Sequence, residues 1–199
     1  MALSLLAPTT VGMSLVAGAV LGARHAVEAD HLAAVATMVD ADGRGSLMGL
    51  WWAIGHMVPI GAGGVAAVAL GLIIPPWIAS LAEMGVGLLL IGLGVIGILS
   101  QVGTHQWTRP HALTGRDSFA VGVVHGLAGS GAMILVLTTT AADPPRAALF
   151  LAGVGLGSIT TMVSLAGAWG RLRRRTAAVQ TVAALASVGL GAAILLEFL

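Results

Sequence analysis

Apolar runs long enough to cross a lipid bilayer recur along this chain, and they constrain its fold more than any other feature. A hydrocarbon core needs roughly 20 predominantly apolar residues in a helix. Such stretches fall at Val11–Val39, Ser46–Ile74, Trp77–Val102, Asp117–Thr139, Arg146–Ala168 and Thr176–Phe198. Between them lie Asp40 to Gly45, Pro75-Pro76, His105 to Arg116, Ala142 to Pro145 and Arg171 to Arg175, whose charges, Gly and Pro interrupt helices. The expectation is an all-α polytopic membrane protein of about six transmembrane helices, forming one domain over residues 1–199. Composition agrees, since only 9% of residues are charged, against about 25% in a soluble domain. Mean hydropathy is +0.99, and Gly, frequent in membrane helices, occurs 29 times.

Nine Arg, no Lys and eight acidic residues nearly cancel, so the basic pI does not argue for nucleic-acid binding. The absence of cysteine excludes disulfides, thiolate metal sites and dithiol redox chemistry. Any metal must therefore use imidazole, oxygen or Met. No positive charge precedes the first apolar run, so no cleaved signal peptide is expected. Arg44, Arg109, Arg116, Arg171, Arg173, Arg174 and Arg175 fall in the first, third and fifth breaks, with only Arg146 on the other side. Because positive charge stays in the cytoplasm, both termini should face outward from the cytoplasmic membrane.

An internal echo accompanies this segmentation. Leu81-Ala82-Glu83-Met84-Gly85-Val86-Gly87 matches Leu185-Ala186-Ser187-Val188-Gly189-Leu190-Gly191 at four of seven positions. At similar offsets His25 is matched by His125, and Gly55-His56 by Gly157-Ser158. Two three-span halves, 1–103 and 117–199, joined by a cytoplasmic loop at 104–116, would have opposite orientations, as in transporters built from inverted repeats. Chance likeness between Gly/Ala/Leu-rich helices is the alternative.

The first span carries Arg24-His25-Ala26-Val27-Glu28-Ala29-Asp30-His31 in otherwise apolar sequence. A central Asp or Arg costs about 2.5 to 3.5 kcal/mol even on lenient insertion scales, so these groups should face partners, water or an ion inside the bundle. On an ideal helix His25, Glu28 and His31 share a stripe about 120° wide, Arg24 lies near Glu28, and Asp30 points about 140° from His25. The rise from His25 to His31 is about 9 Å, too far for one ion with bonds near 2 Å. Either the span is locally unwound, or some of these residues orient the others. The plainer alternative is structural, with Arg24 paired to Glu28 and the imidazoles bonded to backbone.

Elsewhere, His56 follows Gly55 and precedes Pro59, a setting that allows close helix approach and a freed carbonyl. It can complete a site with span one or make an interhelical hydrogen bond. Trp51 and Trp52 read as an interfacial anchor. His125 opens the small-residue run Gly126-Leu127-Ala128-Gly129-Ser130-Gly131 and is a pathway residue or a packed polar contact. Glu83, about two turns into span three, is a proton or cation contact or a solvated carboxylate. His105, His111 and Asp117 belong in or beside the long loop, while Met38 and Met57 read as packing residues before soft ligands.

The stretch His25-Ala26-Val27-Glu28-Ala29-Asp30-His31 resembles the H-x-x-x-x-D-H signature of the nickel/cobalt transporter family. Gly55-His56 and His125 to Gly131 resemble its short urease-accessory nickel-permease branch. The resemblance implies uptake of Ni²⁺, or of Co²⁺, as transported substrate without a resident cofactor. It implies that His25, Asp30 and His31 recognise the ion with help from His56, leaving Arg24, Glu28, Glu83 and His125 as pathway or supporting residues. It also implies delivery to nickel-enzyme maturation proteins. Glu28 stands where many members have Asp, and the signature lies in the first span where longer members carry it in their second. Metal efflux and a non-transporting metal-binding accessory role are the alternatives. An enzyme is not expected, since H-E-x-x-H is absent, and neither is direct ATP hydrolysis, since no P-loop occurs.

Overall fold

The computed structural model describes residues 11–39, 44–70, 75–102, 114–140, 143–173 and 177–198. Among the described residues there are seven helices and no strand: α1 Val11–His25, α2 Ala29–Met38, α3 Gly45–Leu70, α4 Pro76–Val102, α5 Gly115–Thr140, α6 Pro144–Arg173 and α7 Ala177–Leu196. The expectations for Asp40 to Gly43, His105, Arg109, His111, Arg174 and Arg175 lie outside the described residues. Three helical stretches, Ser80–Leu99, Pro144–Leu172 and Ala178–Leu196, are long and apolar enough to cross a membrane.

Two boundaries refine the sequence reading, the first by taking the local unwinding that it left open. The first apolar run is not one helix. It stops at His25 and restarts at Ala29, with Val27 N–H bonding Arg24 O at 3.2 Å and Glu28 N–H bonding His25 O at 3.0 Å. These tightened bonds end α1, and extended Glu28 (φ −62°, ψ 152°) then starts α2. The second correction is at Arg171: α6 continues through it to Arg173, so the Arg-rich break begins later than expected.

Other boundaries follow local chemistry. Thr114 and Asp117 form a capping box on α5: the Asp117 carboxylate accepts from Thr114 N–H at 2.8 Å, and Asp117 N–H donates to Thr114 Oγ1 at 3.3 Å. At α6, Pro144 occupies the first position, where its missing N–H is no loss, and the Asp143 carboxylate accepts from Arg146 N–H at 3.3 Å.

The molecule buries a polar centre within its core and keeps an apolar exterior. Ser14, His25, His31, His56, Ser118, His125, Ser158 and Ser187 are buried, whereas Val16, Val20, Leu70, Leu88, Leu156, Val182 and Leu196 are more than 60% exposed. Such an apolar exterior would be unfavourable in water; it suits lipid, where backbone polar groups must be satisfied within helices. The core centres on α2, whose Ala33, Ala34, Val35 and Met38 pack with Trp52, Leu90, Met162 and Ala166. Trp169 Nε1–H donates to Ala36 O at 3.0 Å, satisfying a carbonyl in the last turn of α2. Met38 is core, and Met57 packs beside Ile60, Phe150 and Val154.

Helix pairs meet through small residues, as membrane helices do without a hydrophobic driving force between them. α1 lies parallel to α6, α3 parallel to α5, and α4 antiparallel to α7. The first two interfaces share one pattern. A Cβ on Gly22 would strike Val154 O and lie 2.9 Å from Ser158 Oγ; on Gly122 it would strike Trp52 O and lie 2.9 Å from His56 N. Likewise a Cβ on Gly157 would strike Ala19 O, and on Gly55 it would strike Phe119 O. At these contacts Ala19 and Gly22 of α1 correspond to residues 100 positions later in α5, and Trp52, Gly55 and His56 of α3 to residues 102 positions later in α6. At the α4–α7 crossing Gly87 and Gly191 oppose each other, and Ser187 Oγ–H donates to Leu90 O at 2.8 Å.

Gly122→Ala should therefore destabilise the protein by about 1 to 3 kcal/mol through overpacking. Gly61→Ala, whose Cβ would meet nothing within 4 Å, should be neutral or stabilise by up to about 1 kcal/mol from helix propensity. Thermal unfolding midpoints in one detergent compare the two.

Candidate metal centre

The break between α1 and α2 reorders the first span's polar residues. Freed from a single helical register, His25 at the end of α1 and His31 in the first turns of α2 approach to ring centroids 4.3 Å apart. His56, one helix away on α3, places its Nε2 3.2 Å from His25 Nε2 and 3.3 Å from His31 Nε2. Three imidazoles from three helices thus turn the same ring atom toward one point, all of them buried.

The remaining nitrogens decide what that point can hold. His25 Nδ1 lies 2.8 Å from Glu28 Oε2, and His31 Nδ1 lies 2.9 Å from Asp30 Oδ1. An ionised carboxylate only accepts hydrogen bonds, so each Nδ1 carries the proton and each Nε2 presents a lone pair. One proton on His56 Nε2 can serve only one of these two lone pairs well, whereas a cation can join all three nitrogens. With metal–nitrogen bonds of about 2.0 to 2.1 Å, ligands at a tetrahedral angle stand roughly 3.3 Å apart, close to the separations found. The two carboxylates, each one ring removed from that point, would balance a divalent charge there, and they hold the imidazoles in the orientation that metal sites require.

Asp30 does not turn away, as an ideal helix would require. Its Oδ2 accepts from His125 Nε2–H at 3.0 Å while its Oδ1 serves His31, so one carboxylate ties α2 to α5. Asp30, His31 and His125 form a second group whose ligand atoms lie within 4.8 Å of one another. Asp30 is 26% exposed and Glu28 52%, placing both on the open side of the buried rings.

Glu28 pairs with His25 rather than with Arg24, and Arg24 is exposed. Glu83 is exposed on α4 and belongs to neither ligand group. Asp117 caps α5 at the surface. Trp51 is 43% exposed, but Trp52 is fully buried, which corrects its assignment as an interfacial anchor. Its ring lies 5.7 Å from that of His31, 5.9 Å from His56 and 5.8 Å from His125. The spacing of four from His56 put Trp52 on the same helix face, a signal that the adjacent Trp51 obscured. An open depression of about 510 Å³, lined by Trp51, Thr114, Gly115, Arg116 and Phe119, sits at the N-terminal ends of α3 and α5 and does not include the imidazoles.

For an ion held at this centre, Glu28→Gln and Asp30→Asn should each weaken binding roughly 10- to 100-fold, the usual cost of removing a partner that orients a ligand. His25→Ala should weaken it further. Equilibrium dialysis of the purified protein against labelled Ni²⁺ measures all three.

No family profile and no solved structure matches the chain. A curated relative does: the urease accessory protein UreH of Bacillus sp. (strain TB-90) is 34% identical over 167 residues, covering 75% of this chain and 73% of the relative. At that identity and coverage the chain belongs to the UreH-type urease accessory branch of the nickel/cobalt transporter family.

Proposed function

We propose that this membrane protein is a secondary transporter that carries a divalent transition-metal ion, Ni²⁺ before Co²⁺, into the cell through its imidazole centre. The observation that carries the reading is the convergence of His25, His31 and His56 through Nε2, with Glu28 and Asp30 on the opposite nitrogens of the first two rings. Nitrogen and oxygen ligands suit first-row ions such as Ni²⁺ and Cu²⁺. The ligands are buried in a bundle whose exterior is apolar, the arrangement expected of an intramembrane ion site.

In this reading α1 and α2 together make one span and α3 to α7 the other five. The parallel and antiparallel packing of the helices agrees with a chain that reverses direction at each crossing. Arg placement puts the N-terminal ends of α3 and α5 in the cytoplasm and both termini outside. The correspondence between the α1–α6 and α3–α5 interfaces supports two inverted halves, and alternating access between them would expose the ion to each side in turn. Delivery to nickel-enzyme maturation is the accompanying role. The relative's name, a urease accessory protein, also favours a second reading in which the chain holds nickel for urease assembly without moving it.

Flux of radioactive Ni²⁺ into liposomes containing the purified protein separates the readings. Wild-type protein should load the vesicles, Co²⁺ should compete better than Zn²⁺ or Mg²⁺, and His25→Ala, Asp30→Ala and His31→Ala should fall to the level of empty liposomes. Binding without flux would overturn transport in favour of the accessory role, and net movement outward alone would make the chain an exporter. Because the chain lacks cysteine, single cysteines near Arg173 and Pro75 report topology, and they should label from opposite faces of the membrane.

A further inference from the structure

The three converging imidazoles are not held alike. His25 is fixed by Glu28 and His31 by Asp30, each through Nδ1. His56 is fully buried and its Nδ1 has no hydrogen-bond partner. A ligating imidazole normally gives its second nitrogen to a carboxylate, carbonyl or water that sets its orientation. Something else must hold the His56 ring.

The His25 ring stacks on it, with centroids 5.4 Å apart and planes inclined by 26°, but His25 belongs to the same ligand set; outside that set, Trp52 is placed to do so. It lies one helical turn from His56 on α3, with ring centroids 5.9 Å apart and planes inclined by only 29°, within the range of offset stacking. Toward His31 and His125 the same indole is edge-on, at 68° and 70°. Trp52 Nε1 is itself buried without a hydrogen-bond partner, so its place is also set by ring packing. The close approach of Gly122 to Trp52 O and His56 N presses α5 against this turn of α3.

We propose that Trp52 is the positioning residue for His56, so that His56 is held by stacking alone and is the labile ligand through which the ion leaves the centre. This rests on the reading that the imidazoles bind the ion. Without a carboxylate on Nδ1, the His56 imidazole lacks the hydrogen bond that fixes the orientation of the other two rings. Loss of that one bond leaves the ion on two rings that their carboxylates keep in place.

The test uses full-length protein in detergent, with Ni²⁺ for affinity and dissociation rate and Co²⁺ as a spectroscopic probe of its ligands. Trp52→Leu should weaken Ni²⁺ binding roughly 10- to 100-fold, speed dissociation by a similar factor and change the Co²⁺ visible spectrum toward that of His56→Ala. Trp52→Phe, which keeps a stacking ring, should stay close to wild type. The deciding comparison is the double variant: a residue that acts only through His56 has nothing left to do once His56 is gone. Trp52→Leu/His56→Ala should therefore bind as His56→Ala does, which also shows that losing the indole has not unfolded the protein. Additive losses in the double variant would overturn the assignment of Trp52 while leaving the imidazole centre standing. A wild-type protein that binds neither ion would overturn both.

Discussion

Two short hydrogen bonds, His25 Nδ1 to Glu28 and His31 Nδ1 to Asp30, determine what the centre of this protein can do. Each fixes a proton on one ring nitrogen and leaves a lone pair on the other, and the lone pairs then meet beside His56. Neither His25 nor His31 could reach that meeting point from a single straight helix, because the rise between them is about 9 Å. The interruption at Ala26 to Glu28 is therefore part of the site. Its own hydrogen bonds are largely made, with Ala26, Val27 and Glu28 N–H groups all bonded to carbonyls of α1, so the turn meets the demand that a membrane interior places on exposed backbone.

A polar centre in such a bundle needs close helices around it, and the chain supplies them with glycine. Gly122 brings α5 against the backbone of α3 beside Trp52 and His56, which delivers His125 to Asp30. Gly22 does the same between α1 and α6, where Ser158 Oγ–H donates to Gly22 O at 3.1 Å. The second contact holds the end of α1 just before the break. Removing space at either glycine would move an imidazole or its carboxylate, so packing and metal geometry are one problem here.

Much of this was legible in the sequence, and the failures have specific causes. The helical segmentation followed from apolar runs and their Pro, Gly and charged interruptions, and its ends fell within a few residues of α3, α4, α5 and α7. That His25, Glu28 and His31 lie close to one another followed from their shared helical stripe and the cost of charge in lipid. The break was legible only as a geometric conflict, because Ala26, Val27 and Glu28 include neither Gly nor Pro. The direction of Asp30 was misread for the same reason: its bearing of about 140° from His25 assumed the helix that the break removes. Trp52 was hidden beside Trp51, since two adjacent tryptophans look alike in sequence while helical rotation buries one and exposes the other.

The two interfaces that share a pattern do not share a chemistry. Where the α1–α6 pair has Ser158 bonding a backbone carbonyl, the α3–α5 pair has His56 facing His25 and His31. Where α1 ends at His25, α5 runs on past His125 without interruption. All three converging nitrogens consequently come from residues 25 to 56, and among the described residues after 114 His125 reaches them, bonded to Asp30 and with its ring against those of His31 and His56. A movement of α5 relative to α2 would strain that bond first. Because the other oxygen of the same carboxylate orients His31, the displacement would be felt at the second nitrogen of that ring, with Asp30 as the joint between the packing of the helices and the imidazole centre.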